Sequence, residues 1–154
     1  VANRYLSILA DVKTNLDSVI DIGKTYDYER WLKDWTKFIN LFKSENHGQI
    51  RGWEITRAAA PEHQAGAFFR HHKFVIRGYM AIKDSDATDK TFQELVEEVC
   101  AKFRTAADGT AWFYGDGDQS GDAPAQVETI EARTFGGVLC HYAEIKLTVT
   151  ERII

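Results

Sequence analysis

Residues 135–150 read FGGVLCHYAEIKLTVT, and the alternation in this stretch decides what kind of fold the chain builds. In an extended strand, Leu139, His141, Ala143, Ile145, Leu147 and Val149 fall on one side. Cys140, Tyr142, Glu144, Lys146, Thr148 and Thr150 fall on the other. A period of two with one apolar set predicts a strand lying on a core, its second face polar but not purely so. Gly136-Gly137 supplies the tight turn ahead of it. Gln126 to Thr134 is therefore expected to pair with it as a hairpin.

Two further strands precede this hairpin. Gln49 to Arg57 carries Ile50, Trp53 and Ile55, with Gly52 as the place for a bulge or a shift of face. His71 to Lys83 has Phe74, Ile76, Met80 and Ile82 on one face, and Val75, Arg77, Tyr79 and Ala81 on the other, which suits a central strand. Ala58 to Arg70, with Pro61 and Gly66, reads as a long hairpin loop.

Helical spacing marks three other segments. Asn3 to Val19 repeats Tyr5, Ile8, Leu9, Val12, Leu16 and Val19, and Gly23 offers a stop. Tyr28, Trp31, Leu32, Trp35, Phe38, Ile39 and Phe42 form a stripe roughly 120° wide behind Asp27 as N-cap. Large aromatics at that spacing suit core packing better than a ring-stacking ligand box. After turn chemistry at Asp84 to Thr88, a third helix runs to about Arg104 on Phe92, Leu95, Val96, Val99, Cys100 and Phe103. Ala106 to Ala125 reads as a long loop. The expected order is ααββαββ: an α+β fold, with an antiparallel sheet of about four strands and helices packed mainly on one face.

The 154 residues suit one domain, 1–154, large enough for a real core. A formal charge of −4 argues against a nucleic-acid binder that works by neutralising phosphates. Two cysteines, Cys100 and Cys140, make no disulfide framework and read as small buried hydrophobes in a reducing cytoplasm. No apolar run is long enough to span a bilayer, and no secretory segment is expected at the N-terminus.

Chemistry is sparse. Asp116, Asp118, Ser120 and Asp122 with Gly121 mimic the start of a calcium loop, which makes a calcium- or small-molecule-binding module one alternative reading. The expected bidentate Glu is replaced by Val127, and solvated loops use the same residues. His47, His63, His71, His72 and His141 show no structural-zinc spacing. Cys140 and His141 are strand neighbours and project oppositely, so they form no nucleophile–base dyad. No phosphate loop, nucleophile elbow or dinucleotide fingerprint occurs. No enzymatic activity and no cofactor are expected. What remains is surface: a mixed aromatic and charged sheet face, and two long loops carrying Phe68-Phe69 and Trp112-Phe113-Tyr114.

Four runs carry a resemblance. They are Asp27-Tyr28-Glu29-Arg30-Trp31, Ile50-Arg51-Gly52-Trp53, Phe74-Val75-Ile76-Arg77-Gly78-Tyr79, and the run from Phe135 through Gly136-Gly137 to Glu144. In this order, across about Asp27 to Val149, the chain resembles the tail terminator proteins of long-tailed bacteriophages. The resemblance implies an α+β domain that assembles as a homohexameric ring on the finished tail tube. Such a ring stops tube growth, meets the head-completion or connector protein, and lets DNA pass its lumen without specific binding. It implies a virion protein of the tail or neck, assembled in the bacterial host cytoplasm, with no membrane partner. A head-side neck adaptor is the nearest alternative. On this reading Arg51, Arg77, Tyr79 and Tyr142 are expected at subunit contacts, and Phe68, Phe69, Trp112 and Tyr114 at contacts with the tube or neck.

Overall fold

A computed structural model describes residues 4–30, 36–104, 111–117 and 119–153. Three long strands carry the sheet: β3 (Gln49–Ala59), β5 (Ala67–Ala81) and β8 (Val138–Arg152). β5 lies between the other two and is antiparallel to both. Shorter strands extend this trio. β1 (Lys24–Tyr26) runs parallel to β3, and β2 (Lys43–Ser44) pairs with it too. β4 (Glu62–Ala65) folds back on β5, while β6 (Trp112–Tyr114) and β7 (Ala125–Phe135) share the outer edge of β8. The helices are α1 (Tyr5–Asp17), α2 (Thr36–Phe42) and α3 (Thr88–Ala101), with a short 3-10 turn at Asp84–Asp86.

The expected antiparallel α+β sheet of about four strands in the order ααββαββ is therefore overturned. Among the described residues eight strands form one mixed sheet, and the order is αβαββββαβββ. The four long strands and three helical segments were visible because each is long enough to show a period. β1, β2, β4 and β6 are two to four residues long, too short for any period to show. They exist because each finds a partner strand already in place. The Ala58–Arg70 region is not a loop: β3 and β5 both extend into it, and β4 pairs Glu62 with Arg70 and Ala65 with Ala67. The Ala106–Ala125 region likewise holds β6.

The second helix is shorter than its apolar stripe predicts. Asp27 to Arg30 are not helical. The Arg30 guanidinium stacks over the rings of Tyr26 and Tyr28 at 4.7 and 4.9 Å, and its backbone N–H donates to Glu54 Oε2 at 3.1 Å. These tertiary contacts hold the run in a non-helical path, against its helical spacing. Trp31, Leu32 and Trp35 lie outside the described residues.

Alternation puts Trp53, Ile55, Phe74, Ile76, Ala143, Ile145, Leu147 and Val149 on one face. Together with α1 and α3 they form the main core, where Trp53, Ile76 and Ile145 are fully buried. Trp53 lies over Gly78, where an added Cβ would stand 2.4 Å from its ring, and it stacks on Phe92 of α3. On the opposite face α2 packs Phe38 and Phe42 against Tyr79, Tyr142 and Cys140. The helices thus cover both faces, not mainly one. Gly52 makes no bulge; it makes room for Phe42, and the irregularity in β3 falls at Arg57–Ala59. Gly136 and Gly137, at φ of 56° and 79°, close the β7–β8 hairpin as the sequence suggests.

Candidate functional site

Chemistry-bearing groups gather on the α2 face of the sheet, in three zones along the β5–β8 ladder. The first lies under α2. Tyr79 and Tyr142 are cross-strand partners whose rings lie 5.3 Å apart, and Phe135 and Phe38 pack beside them. Burial raises both phenols, Tyr142 up to about 12. Next comes a charged row set by register, with Glu54, Arg77 and Glu144 directly opposite one another on β3, β5 and β8. The Tyr79 hydroxyl donates to Glu54 Oε1 at 2.8 Å, and the Tyr142 hydroxyl to Glu144 Oε1 at 2.7 Å. Burial pushes the Glu54 carboxyl up, against the opposing pull of the Arg30 N–H, the Tyr79 hydroxyl and Arg77. Alternating signs in register compensate charges that the fold has partly dried.

The second zone is an open groove of about 460 Å³. Lys73, Val75, Lys146 and Thr148 line its floor, and Asp116, Ser120, Asp122 and Pro124 stand along its other side. Here the expected calcium loop can be judged. Asp116 Oδ2 accepts from the backbone N–H and the hydroxyl of Ser120, at 3.2 and 2.6 Å. Those bonds hold its carboxyl below the usual range. Asp116 thus closes a turn, and Ser120 Oγ in turn accepts from Asp122 N–H at 3.1 Å. Asp118 lies outside the described residues, among which no group of three or more His, Cys, Asp or Glu side chains could hold a metal ion.

The third zone is a pair of histidines eight residues apart in sequence. His63 of β4 and His71 of β5 lie with Nδ1 and Nε2 2.8 Å apart, their rings parallel within 3°. Burial lowers the His71 imidazole. The neighbouring His72 points to the opposite face. It is fully buried, 3.0 Å from Glu151 Oε1, with Arg57 at its other nitrogen. Both members of that pair are at most 3% exposed, so a substrate cannot reach them. Period two correctly sent His71 and His72 apart. What brings His63 in is β4, which was too short to read.

The expected contact residues scatter. Tyr79 and Tyr142 are buried within the chain under α2, and Arg77 lies in the charged row. Arg51 lies on the other face, buried, with Nη1 3.2 Å from the Asp21 carbonyl. Trp112 and Tyr114 of β6 turn onto α1, where the Tyr114 hydroxyl donates to Asp11. Phe69 stacks on His63, whereas Phe68 is 45% exposed. Both cysteines are free and buried, Cys140 on the face opposite His141.

One exposed element was not singled out by its sequence. β7 pairs with β8 alone among the described residues, so its outer edge presents unpaired backbone groups. It is eleven residues long and has neither Pro nor Lys. Val127 and Ile130 stand on it 44% and 38% exposed, with Leu139 of β8 51% exposed nearby. The signal was present in the β-branched content of Gln126 to Thr134, but pairing partners are not readable from one strand.

No described helix is long and apolar enough to cross a membrane. No protein-family model matches the chain, and no curated protein matches it.

Proposed function

We propose that this chain is a non-catalytic structural subunit that assembles through the open edge of β7, in the role its sequence resemblance implies. That role is a ring on the end of a phage tail tube, in the virion, which stops tube growth and joins the head-completion protein. The observation that carries the reading is the β7 edge itself. Chains that stay alone blunt such edges with short strands, Lys, Pro or bulges. β7 has one bulge, at Val127–Thr129, and beyond it Ile130 to Phe135 runs in regular register; its charges there, Glu131 and Arg133, pair with each other on the α2 face and leave Ile130, Ala132 and Thr134 uncharged on the other. A second copy of the chain, adding a strand there and burying Val127, Ile130 and Leu139, satisfies both the backbone groups and the apolar side chains. A different edge of that copy must make the contact if a ring is to close, because pairing β7 with itself stops at a dimer.

The test is deletion of the gene followed by electron microscopy of the particles. Overlong or headless tails, restored to normal by the wild-type chain, are expected. Particles that mature with ordinary tails and heads end the proposal. Native mass spectrometry of the purified protein then reports the ring separately from its role.

A further inference from the structure

His63 and His71 belong to a closed circuit of hydrogen bonds whose directions can be worked out. The Thr150 hydroxyl donates to the Gly115 carbonyl at 2.6 Å, so its oxygen is left to accept. His71 Nδ1, 2.9 Å away, must then carry the hydrogen. That leaves His71 Nε2 as a bare lone pair, and His63 donates to it from Nδ1 across 2.8 Å. His63 Nε2 is the remaining acceptor and takes the side-chain amide of Gln119 at 3.1 Å. The circuit runs Gln119, His63, His71, Thr150, Gly115. It begins and ends on the segment between β6 and β7 and passes through β4, β5 and β8. Every member is satisfied while both imidazoles are neutral.

We propose that His63 and His71 form an acid-released clasp that fastens Gly115 and Gln119 to the sheet beside the groove. One proton can be absorbed. His71 then donates from Nε2, His63 accepts at Nδ1, and the Gln119 amide turns its oxygen toward the new His63 Nε2–H. A second proton sets N–H against N–H and places two cations in contact, and the bond between the rings is lost. The groups around His71 set how acid the solution must be for this. From the β6–β7 segment Asp116 favours the charged form. From β5, Lys73 and His72 oppose it, as do His63 of β4 and burial itself. β8 contributes the uncharged Thr150 hydroxyl, and Glu62 of β4 is engaged by Arg70. The consequence is a segment held at neutral pH and freed in acid, with the wall of the 460 Å³ groove moving with it. This inference does not depend on the tail reading.

Hydrogen exchange by mass spectrometry tests it on the full chain, at pH 7.5 and 4.5 and corrected for the intrinsic rate. Protection of the peptides holding Gly115 and Gln119 is expected to fall about tenfold in acid while α3 keeps its protection. His63→Gln retains a donor for His71 but cannot take up a proton, so its protection should stay nearly constant between the two pH values. His63→Ala should lose it at both. Equal acid loss in the wild type and His63→Gln overturns the clasp. So does full protection of His63→Ala at neutral pH, or a wild type in which α3 opens together with the segment.

Discussion

The two faces of the sheet are made from alternate residues of the same three long strands, yet they are finished in different ways. The face under α1 and α3 is apolar along its middle, from Trp53 and Ile76 to Leu147 and Val149, with His72, Arg57 and Glu151 at one end and His141 at the other. The opposite face is covered in pieces. α2 caps the Tyr79–Tyr142 end, the Glu54–Arg77–Glu144 row crosses the middle, and the His63–His71 circuit tethers a segment at the far end. Along its middle the first face needs only shape. The second needs every polar group matched, because a dried carboxylate or imidazole without its partner costs more than a missing methyl group. The difference therefore predicts which substitutions are felt through volume, and which through charge and pH.

The largest effect belongs to the apolar face. Trp53 is fully buried between Gly78 and Phe92. Trp53→Ala should lower unfolding free energy by about 4 kcal/mol, through lost transfer energy and an unfilled cavity. Urea denaturation measures it, and a loss under about 1 kcal/mol would mean that this face is not the rigid one. On the other face Glu54→Ala should cost about 3 kcal/mol, because it strips the Arg30 N–H and the Tyr79 hydroxyl of a buried acceptor and Arg77 of a facing charge. Combining it with Tyr79→Phe in a double-mutant cycle should show coupling of about 1 kcal/mol. Strict additivity would show that the row is a solvated decoration.

These contrasts explain what could be read from the residues alone. The apolar face was legible because its pattern repeats along three long strands, and so were α1, α3 and the glycine turn. The second face was not, because its cover is built from short or aperiodic pieces. No rule of spacing links His63 to His71 without β4, or Glu54 to Arg30. The row Glu54, Arg77 and Glu144 is visible only once register is known, since a shift of one residue would separate the charges. Tyr79 and Tyr142 were correctly placed on one face and correctly seen as mixed with charge. Their burial was missed because α2 was expected on the other side of the sheet.

Acid should act next, at the polar ends of both faces. Burial lowers His71, His72 and His141 below the ordinary imidazole value. As pH falls below about 6.5 the unfolded chain takes up protons that the folded chain resists. Their contribution is thus complete above that pH and is lost as pH falls through the folded values. Glu54 has the opposite sign. Its raised carboxyl contributes most below the ordinary carboxylate value and less as pH rises past the folded one. Between pH 7.5 and 5 the histidines govern, so the melting temperature should fall across that range. His72→Gln can still donate to Glu151 and accept from Arg57, and it should flatten the slope. A melting temperature that holds level in the wild type would mean that these imidazoles are not kept neutral by the fold.

The smallest expected change in stability lies where the apolar face outruns its helices. Val127 pairs with Ile145 and Ile130 with Ala143, so register puts both on the core side of the sheet. At the sheet's edge they nonetheless stand 44% and 38% exposed. An apolar side chain in that position adds little to a lone subunit. Ile130→Lys should therefore move unfolding free energy by no more than about 0.5 kcal/mol. It also introduces a charge on the face of the edge that has none, since Glu131 and Arg133 of β7 lie on the other, and that charge should prevent another strand from docking. The expected result is an intact fold by circular dichroism with the assembled species lost by native mass spectrometry. If the variant assembles as the wild type does, the β7 edge is not where subunits meet. If it unfolds instead, Ile130 is part of the core, and the line between the covered and the uncovered face lies one strand further out.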